Sequence, residues 1–366
     1  MKTYSELFGS IDYPVLLMNG QNIFYTTGFY TTACCPGQIG YYCALLMEKQ
    51  TLLFVPENWK EVVSDLISEC PVEVLGYQGG IANLAAKLQS FLSGKGMIGY
   101  EKEEMSLSLF LLLKEKNPQI VWVDVSDDLK EKRLIKTEKE IEKLRRSASL
   151  AREAMEYAKQ VLCPGKSEMQ IVAELEYFMR KKGSEGVPFT MKALAGENAV
   201  RTINLPGNRM LKEGDIVLLD FGATVQNYAS DWTRSFCIGK AKEKQKELYR
   251  LVWEIERSCI KMIRPGTSYE DIMEKALEIV KGHPFEEYFN PYLGHSIGIN
   301  SQEWPPIVRG AKQKLCENMV ITIEPGVYVP GIGGVRIEDE VLVTKEGYEI
   351  LTGLAEERFE LQNGEE

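Results

Sequence analysis

The sequence predicts an α/β domain followed by an α+β domain that is built from two related helix–helix–strand units. Three observations predict this. Up to about residue 126, apolar runs of strand length alternate with runs of helical spacing, a pattern typical of a layered α/β structure. Further on, Pro-Gly-Lys-Ser at 164–167 is echoed 101 residues later by Pro-Gly-Thr-Ser at 265–268. Each echo follows a long helical pattern and precedes strand-like runs, which indicates a duplicated unit related by a pseudo-twofold axis.

Four segments follow from these patterns. The first domain is predicted to cover residues 1–126 and the second to cover 137–357, with a charged, turn-rich linker over 127–136 between them. A polar tail over 358–366 is expected to fray.

The first domain is expected to contain six strands and three helices, judged from the period of its apolar residues. The predicted strands cover residues 15–18, 44–47, 51–55, 72–77, 97–100 and 120–125, and the predicted helices cover 58–70, 81–92 and 106–115. Residues 22–29 are polar and aromatic enough to line a pocket, but we interpret them as a structural loop.

The second domain opens with a strong helix signal over residues 137–162. Thr137 and Glu140 form a capping box, and apolar residues recur at helical spacing until Pro164 and Gly165 end the pattern. A second long helix is predicted at about 241–263, before the second echo. The two units therefore begin in the same way.

Composition narrows the possible partners. The chain has 366 residues, of which 44% are hydrophobic and 26% charged, as in ordinary globular proteins. Its net charge of −10 argues against nucleic acid and anionic membranes as partners. No apolar run is long enough to span a bilayer, and the first residues lack the apolar core of a signal peptide, so we expect a cytoplasmic protein. Eight scattered cysteines without a C-x-x-C pair are expected to be reduced thiols.

Five side chains of the second domain are candidate metal ligands in strand-like contexts. They are Asp220, Asp231, His295, Glu324 and Glu338. The two glutamates follow apolar triplets in residues 321–344, whose strand-like runs are joined by a Gly/Pro-rich turn, and glycines frame the histidine. Both aspartates belong to the first unit and the other three residues to the second. We therefore expect a ligand site between the two halves.

The chemistry of this set favours divalent cations. An acid on a buried strand is costly unless it is paired or binds a cation. A single such acid is more often an ion-pair partner or a turn former, but five such residues in one domain favour a metal site. Carboxylates with one imidazole select manganese, iron, cobalt or zinc rather than a metal that prefers thiolates. Two cations that share carboxylates can lower the pKa of a shared water and polarise a carbonyl, which suits amide hydrolysis.

The motifs around these residues resemble the ordered signature of the pita-bread metallopeptidases. The motifs are LLDFGA (218–223), SDWTR (230–234), GHSIG (294–298), TIEPGVY (322–328) and GVRIEDEVLVT (334–344). The resemblance is closest to prolidase and aminopeptidase P, which are Xaa-Pro peptidases, and it covers roughly residues 135–355. The first domain resembles the creatinase-type N-terminal domain more loosely, chiefly through NIFYTTGF. The implied fold is a pseudo-symmetric α+β pita-bread domain with a curved antiparallel sheet.

The resemblance implies a role for each ligand. Asp220 would hold one metal ion, Asp231 and Glu338 would bridge both, and His295 and Glu324 would hold the other. Glu324 would also act as the general base for a metal-bridging hydroxide that cleaves the bond before proline. We expect two divalent ions per chain, with manganese as the first choice and cobalt, zinc or iron as alternatives.

The resemblance also implies surroundings for the ligands. Tyr228 and Thr233 match positions directly behind the ligands, and Arg336 matches a substrate-binding position at the edge of the site. A homodimer is implied, in which the first domain of one chain covers the site of the other. The substrate would be a short peptide or a small amide.

Three histidines that the family uses are replaced in this chain. Pro291 stands four residues before the metal-binding histidine, Gln302 stands seven residues after it, and Ile203 lies in the loop before the first aspartate. In the family these histidines hold the substrate and stabilise the oxyanion. Gln302 can still donate a hydrogen bond, whereas the side chains of the other two cannot. We therefore expect an intact metal core beside a rebuilt substrate pocket, lined in part by Gln302 and Ile203.

Three functions are compatible with this reading. The first is a Xaa-Pro dipeptidase or aminopeptidase. The second keeps the metal core but acts on a non-proline peptide, a small amide or an amidine, as the replaced histidines suggest. The third is a non-catalytic binding module, which the five retained ligands argue against.

Overall fold

The computed structural model describes residues 1–9, 11–31, 41–353, 356 and 359–361. The chain separates into two compact units, Met1–Arg133 and Leu134–Glu366, and the division falls inside the predicted linker. Among the described residues, every helix is too short or too polar to cross a membrane.

The first unit is built on a mixed six-stranded sheet. Its strands are β1 (Val15–Leu17), β2 (Cys43–Met47), β3 (Gln50–Pro56), β4 (Val72–Tyr77), β5 (Met97–Tyr100) and β6 (Val121–Asp124). They lie in the order β4-β3-β2-β1-β5-β6, with β2 antiparallel to both neighbours and the remaining pairs parallel. Its helices are α1 (Tyr4–Phe8), α2 (Gly20–Thr27), α3 (Lys60–Leu66), α4 (Ile81–Leu92), α5 (Leu107–Lys116) and α6 (Ser126–Leu134). The α/β character predicted for this part of the chain is confirmed.

Two segments of the first unit are helical where the sequence predicts a loop and a turn-rich linker. Residues 22–29 fall mostly within α2, which Asn19 caps through its side chain and Gly28 ends in the left-handed conformation. Residues 127–136 fall mostly within α6, whose first turn is acidic and whose last turn is basic. That charge order stabilises a helix through its dipole, although the segment lacks a clear apolar period.

The second unit contains two helix pairs and two main sheets. The helices are α7 (Glu138–Val161), α8 (Glu168–Lys181), α9 (Glu243–Ile260) and α10 (Tyr269–Val280). The strands are β7 (Lys192–Ala195), β8 (Ile216–Phe221), β9 (Thr224–Val225), β10 (Tyr228–Ala229), β11 (Trp232–Ile238), β12 (Tyr292–Ser296), β13 (Glu303–Val308), β14 (Val320–Ile323), β15 (Gly326–Val329), β16 (Gly333–Arg336), β17 (Asp339–Val343), β18 (Tyr348–Ile350) and β19 (Glu360–Leu361). One sheet has the order β19-β11-β8-β7 and the other the order β13-β12-β14-β17-β18, while β9-β10 and β15-β16 form two-stranded ribbons.

The duplication predicted from the echoed tetrapeptides is confirmed by matching hydrogen bonds. Gly165 N donates to Leu211 O at 3.0 Å, and Gly266 N donates to Leu315 O at 2.8 Å. Ser167 and Ser268 then cap α8 and α10 through equivalent capping boxes. Within the second compact unit, each half buries its own apolar cluster, one around α7 and α8 and the other around α9 and α10. The two halves are thus built alike and meet between their sheets.

The last residues of the chain are not simply a frayed polar tail. Glu360–Leu361 pairs in parallel with Cys237–Ile238 of β11, and the side chain of Phe359 is buried and stacks on Tyr249. The rest of the predicted tail lies outside the described residues.

Candidate metal centre

Alternation along each strand determines which side chains face the site. On β8, Val217, Leu219 and Phe221 pack into the apolar cluster of the first helix pair. Because successive residues of a strand alternate between faces, Asp220 points to the opposite face.

The same alternation holds in the second sheet. On β14, Ile321 and Ile323 pack into the cluster around α9 and α10, whereas Thr322 takes the other face, and Glu324 follows directly after the strand. On β17, Val341 and Val343 pack into that cluster as well. The candidate ligands therefore lie on the sheet faces turned away from the helices.

The two halves join at Thr233 and Glu338. Glu338 N donates to Thr233 O at 3.1 Å, and Thr233 Oγ1 donates to Glu338 Oε2 at 2.5 Å. This link sets a carboxylate of the second half directly beside β11 of the first. Ligand atoms of Asp231, His295 and Glu338 all lie within 4.8 Å of one another, and all three residues are buried.

His295 presents one ring nitrogen to this cluster. Its Nδ1 lies 2.9 Å from Ser296 O, so Nδ1–H donates to that carbonyl and Nε2 carries the free lone pair. Nε2 lies 3.6 Å from Asp231 Oδ2 and 3.2 Å from Glu324 Oε1. The tautomer and orientation of the ring therefore suit a metal ligand.

Asp220 completes the set on the opposite side. Its Oδ2 accepts a hydrogen bond from Arg336 Nη2 and lies 3.8 Å from Lys192 Nζ. Arg336 Nε in turn lies 3.9 Å from Glu324 Oε2. All five predicted ligands thus converge on one region of the second unit.

The raised pKa values of the carboxyl groups in the cluster favour the binding of cations. Burial, followed by the repulsion of neighbouring carboxylates, raises the pKa values of Asp231 and Glu338 well above their ordinary range. Glu338 Oε1 is buried and accepts no hydrogen bond from the described residues. Divalent cations would satisfy both the charge and this oxygen, and the donor set of carboxylates and one imidazole suits manganese, iron, cobalt or zinc.

Glu324 differs from the other acids of the cluster. Burial opposes its ionisation, but the neighbouring His295 and Arg336 outweigh burial and lower its pKa. Glu324 is therefore ionised more readily than Asp231 and Glu338, as a proton acceptor must be.

The two residues expected behind the ligands each donate a hydrogen bond to a glutamate. Thr233 holds Glu338 as described, and Tyr228 donates its hydroxyl to Glu140 Oε1 on α7 at 3.0 Å. Arg336 is a correction to the sequence prediction. Its side chain is only 8% exposed and also bonds the hydroxyls of Thr233 and Tyr328, so it lies among the ligands rather than at the edge.

The residues at the three replaced histidine positions are all exposed, and Gln302 also makes a side-chain hydrogen bond. Gln302 is exposed, and its Nε2 donates to the Tyr292 hydroxyl at 2.9 Å. Ile203, predicted to line the substrate pocket, is 88% exposed. Pro291 is exposed as well.

Sequence reasoning missed three residues near the ligands. Lys192 faces Asp220 because β7 pairs with β8 in a register that sets these residues opposite each other. Arg234 donates to the carbonyl of Glu338 at 2.7 Å and forms a buried ion pair with Asp339 at 2.7 Å, which fixes the backbone behind the centre. Tyr292 lies beside His295 with ring centroids 6.3 Å apart. No sequence motif marks Lys192 or Tyr292, because strand pairing and a bulge create their contacts, whereas Arg234 ends the SDWTR motif, whose pattern does not indicate its partners.

A cluster of four carboxylates and one imidazole, between two related halves, defines the class of a metal-dependent hydrolase. Comparisons with known proteins specify the family. The model of "Metallopeptidase family M24" matches residues 142–345, and that of "Creatinase/Prolidase N-terminal domain" matches residues 14–135. The chain belongs to metallopeptidase family M24, and the resemblance inferred from its motifs is confirmed.

Individual relatives agree with this assignment over nearly the whole chain. The Xaa-Pro dipeptidase of Pyrococcus horikoshii is 34% identical over 94% of this chain and 93% of its own length. Among solved structures, the Xaa-Pro dipeptidase from Bacillus anthracis is 30% identical with a TM-score of 0.85, covering 95% of each chain. The prolidase from Pyrococcus furiosus is 30% identical with a TM-score of 0.85, covering 95% of this chain and 98% of its own. The pita-bread fold and the metal-dependent peptidase class are therefore confirmed.

Proposed function

We propose that this peptidase hydrolyses the bond before proline in Xaa-Pro dipeptides or at peptide N-termini, with two divalent cations at the centre. The observation that supports it most is the convergence of four buried ligands and the half-buried Glu324 from both halves of the second unit. The names of the similar proteins, Xaa-Pro dipeptidase and prolidase, suggest the substrate class.

In this proposal each ligand has a defined task. Asp220 would hold one cation, His295 and Glu324 would hold the other, and Asp231 and Glu338 would serve both. When bound, the cations supply a water of lowered pKa and polarise the scissile carbonyl.

Glu324 carries the proton transfer. As an ionised carboxylate, it accepts a proton from the attacking water while the water oxygen bonds to the carbonyl carbon. The C–N bond then breaks, and Glu324 returns the proton to the leaving nitrogen of proline. Arg336 stays beside Asp220 and Glu324 and keeps both carboxylates oriented.

A peptide panel tests the proposal. Manganese-loaded protein should cleave Xaa-Pro dipeptides or Xaa-Pro-Yaa tripeptides and leave peptides without proline intact. Glu324→Gln is the blank, and it should lose this activity by more than about 100-fold, the range of a lost general base. Failure to cleave any proline peptide, with two cations bound, would refute the proline specificity.

A second function keeps the same centre but changes the substrate to a non-proline peptide, a small amide or an amidine. It is favoured by the neutral Tyr292–Gln302 contact and by the exposure of Ile203 and Pro291, where the family has histidines. A competition screen against the cleavage reaction decides between the two. If only proline peptides compete, this second function is wrong.

The identity of the metal, the assembly and the location remain predictions. Activity after reloading with manganese, cobalt, zinc or iron identifies the metal, and manganese is expected to give the highest rate. Light scattering should give twice the mass of one chain if the predicted homodimer forms. Cell fractionation tests the predicted cytoplasmic location.

A further inference from the structure

Tyr292 carries a hydroxyl that the proposed mechanism does not yet use. In a regular strand, residues three apart point to opposite faces. Between Tyr292 and His295, however, the pairing of β12 with β13 shifts register, and Gly294 adopts a φ of +152°. This bulge places the centroids of the two rings 6.3 Å apart, so the phenol lies next to a candidate metal ligand.

The hydroxyl of Tyr292 has one polar neighbour among the described residues, the Gln302 amide at 2.9 Å. Whichever way the carboxamide is oriented, a phenol and a carboxamide bonded to each other keep at least one O–H or N–H donor unused. Tyr292 is half-buried and Gln302 is exposed. Because the Gln302 amide donates to the phenol oxygen, the O–H of Tyr292 is left unused, and it belongs to the ring that neighbours His295.

The loop that carries Gln302 is anchored by the residue next to it. Glu303 Oε2 lies 3.5 Å from Lys136 Nζ, and these side chains are only 7% and 1% exposed. Glu303 Oε1 also accepts a hydrogen bond from Asn300 N at 3.2 Å. Because this anchor is buried, Gln302 meets the phenol from a preorganised position.

We propose that Tyr292 is a catalytic residue whose hydroxyl donates a hydrogen bond to the oxygen of the scissile amide, and that Gln302 is its positioning residue. The inference rests on the proposed amide hydrolysis and identifies a donor for it. Negative charge develops on that oxygen in the transition state, where a preorganised donor is most effective. A phenol supplies the donor without adding a positive charge that would repel the divalent cations.

The first test measures kcat and KM for Ala-Pro with Tyr292→Phe, Gln302→Met and the double variant. Tyr292→Phe should lower kcat on the order of 10²-fold, as the loss of one oxyanion donor does, and should change KM by less than about threefold. Gln302→Met should lower kcat in the same direction. The double variant should fall no more than about twofold below Tyr292→Phe, because the two residues act as a unit.

The second test is binding by calorimetry, which does not depend on turnover. A phosphinic analogue of Ala-Pro presents tetrahedral oxygens, whereas a reduced analogue with CH₂ in place of the carbonyl presents none. Tyr292→Phe should weaken the phosphinic analogue by about tenfold or more and leave the reduced analogue unchanged. The matched control is Tyr348→Phe on β18, an exposed tyrosine that should change neither value.

Each outcome has a distinct meaning. If Tyr292→Phe cleaves and binds like the wild type, the inference is overturned while the proposed function stands. If KM rises and kcat is unchanged, Tyr292 contributes only to binding of the substrate, and its catalytic role is wrong. If the wild type neither cleaves Ala-Pro nor binds either analogue, the proposed function fails and the inference falls with it. Metal content and thermal unfolding of each variant verify folding, and Gln302→Met at an exposed position carries the test if Tyr292→Phe misfolds.

Discussion

At the scale of single residues, the centre is a balance between carboxylates that repel one another and the groups that offset this repulsion. Arg336 and Lys192 supply positive charge beside Asp220, and Arg336 also lies near Glu324. Divalent cations would join this balance, so changes at single side chains should appear first in metal binding.

Asp231→Asn should disturb both cations, because the proposal makes this carboxylate shared between them. We expect the metal content to fall from two ions per chain to below one, and activity to fall by more than about 100-fold, above the usual effect of outer contacts to a metal site. Elemental analysis of dialysed protein measures the content. The matched control is Asp215→Asn, which removes a carboxylate paired with Arg209 at 2.7 Å away from the ligands. Full metal content in Asp231→Asn would show that the sharing is wrong.

Lys192→Met should strengthen metal binding. The ammonium lies 3.8 Å from Asp220 Oδ2 with its side chain 25% exposed, so it repels an incoming cation through a partly screened interaction. We expect the Kd for Mn²⁺ to fall by about two- to fivefold, within the range of exposed charge pairs. Lys166→Met is the control, since Lys166 pairs with Glu174 at 2.8 Å and is similarly exposed. Unchanged or weaker binding in Lys192→Met, measured by calorimetry, contradicts this role.

At the scale of secondary-structure elements, backbone details decide which face a side chain takes. Regular alternation carries Asp220 to the site, and the sequence alone predicts this alternation. His295 and Tyr292 share a region only because β12 is bulged at Gly294. A Cβ at Gly294 would lie 2.1 Å from Thr322 O, so the bulge requires glycine.

Gly294→Ala and Gly165→Ala separate steric clash from backbone strain. At Gly165, φ is +88° and nothing lies within 4 Å of an added Cβ, so we expect a loss of about 1 kcal/mol from the conformation alone. At Gly294 the clash adds to the strain, and we expect more than about 3 kcal/mol together with weakened metal binding. Thermal unfolding and metal titration check both variants. Gly266→Ala, the duplicated counterpart with φ +92° and open space, should match Gly165→Ala.

At the scale of the whole molecule, each compact unit has its own apolar interior, and the first unit also buries an acid. Glu101 is 1% exposed and accepts hydrogen bonds from Met18, Asn19 and Asn22. Burial nevertheless raises its pKa to about 7. In the unfolded chain this pKa returns to its ordinary value near 4.5.

This shift predicts how stability varies with pH. Between about pH 4.5 and 7 the folded unit binds more protons than the unfolded chain, so stability falls as pH rises through this window. The contribution of Glu101 is present below the lower value and lost above the upper one, up to roughly 3 kcal/mol. Urea unfolding followed by pulsed hydrogen exchange of β1 and β5 should show this loss between pH 5 and 8. Glu101→Gln should remove most of it, and an equal slope in both proteins would contradict the assignment.

The sequence by itself determined the two-part architecture, the duplicated units and the five candidate ligands. These features are local. Apolar periodicity indicates which face of a strand or helix is buried. The echoed tetrapeptides indicate that the same backbone turn occurs twice. Several acids inside apolar runs favour a site for cations. The helix α6 escaped prediction because charge order rather than apolar period stabilises it.

Only the tertiary structure decided the surroundings of the ligands. Arg336 is buried among them, Lys192 faces Asp220, Tyr292 joins His295, and Ile203 points into solvent. These placements depend on strand register, on one bulge and on the meeting of two sheets at Thr233 and Glu338, two residues that are 105 positions apart. A linear pattern does not encode such contacts, because their energy arises only after the strands have paired.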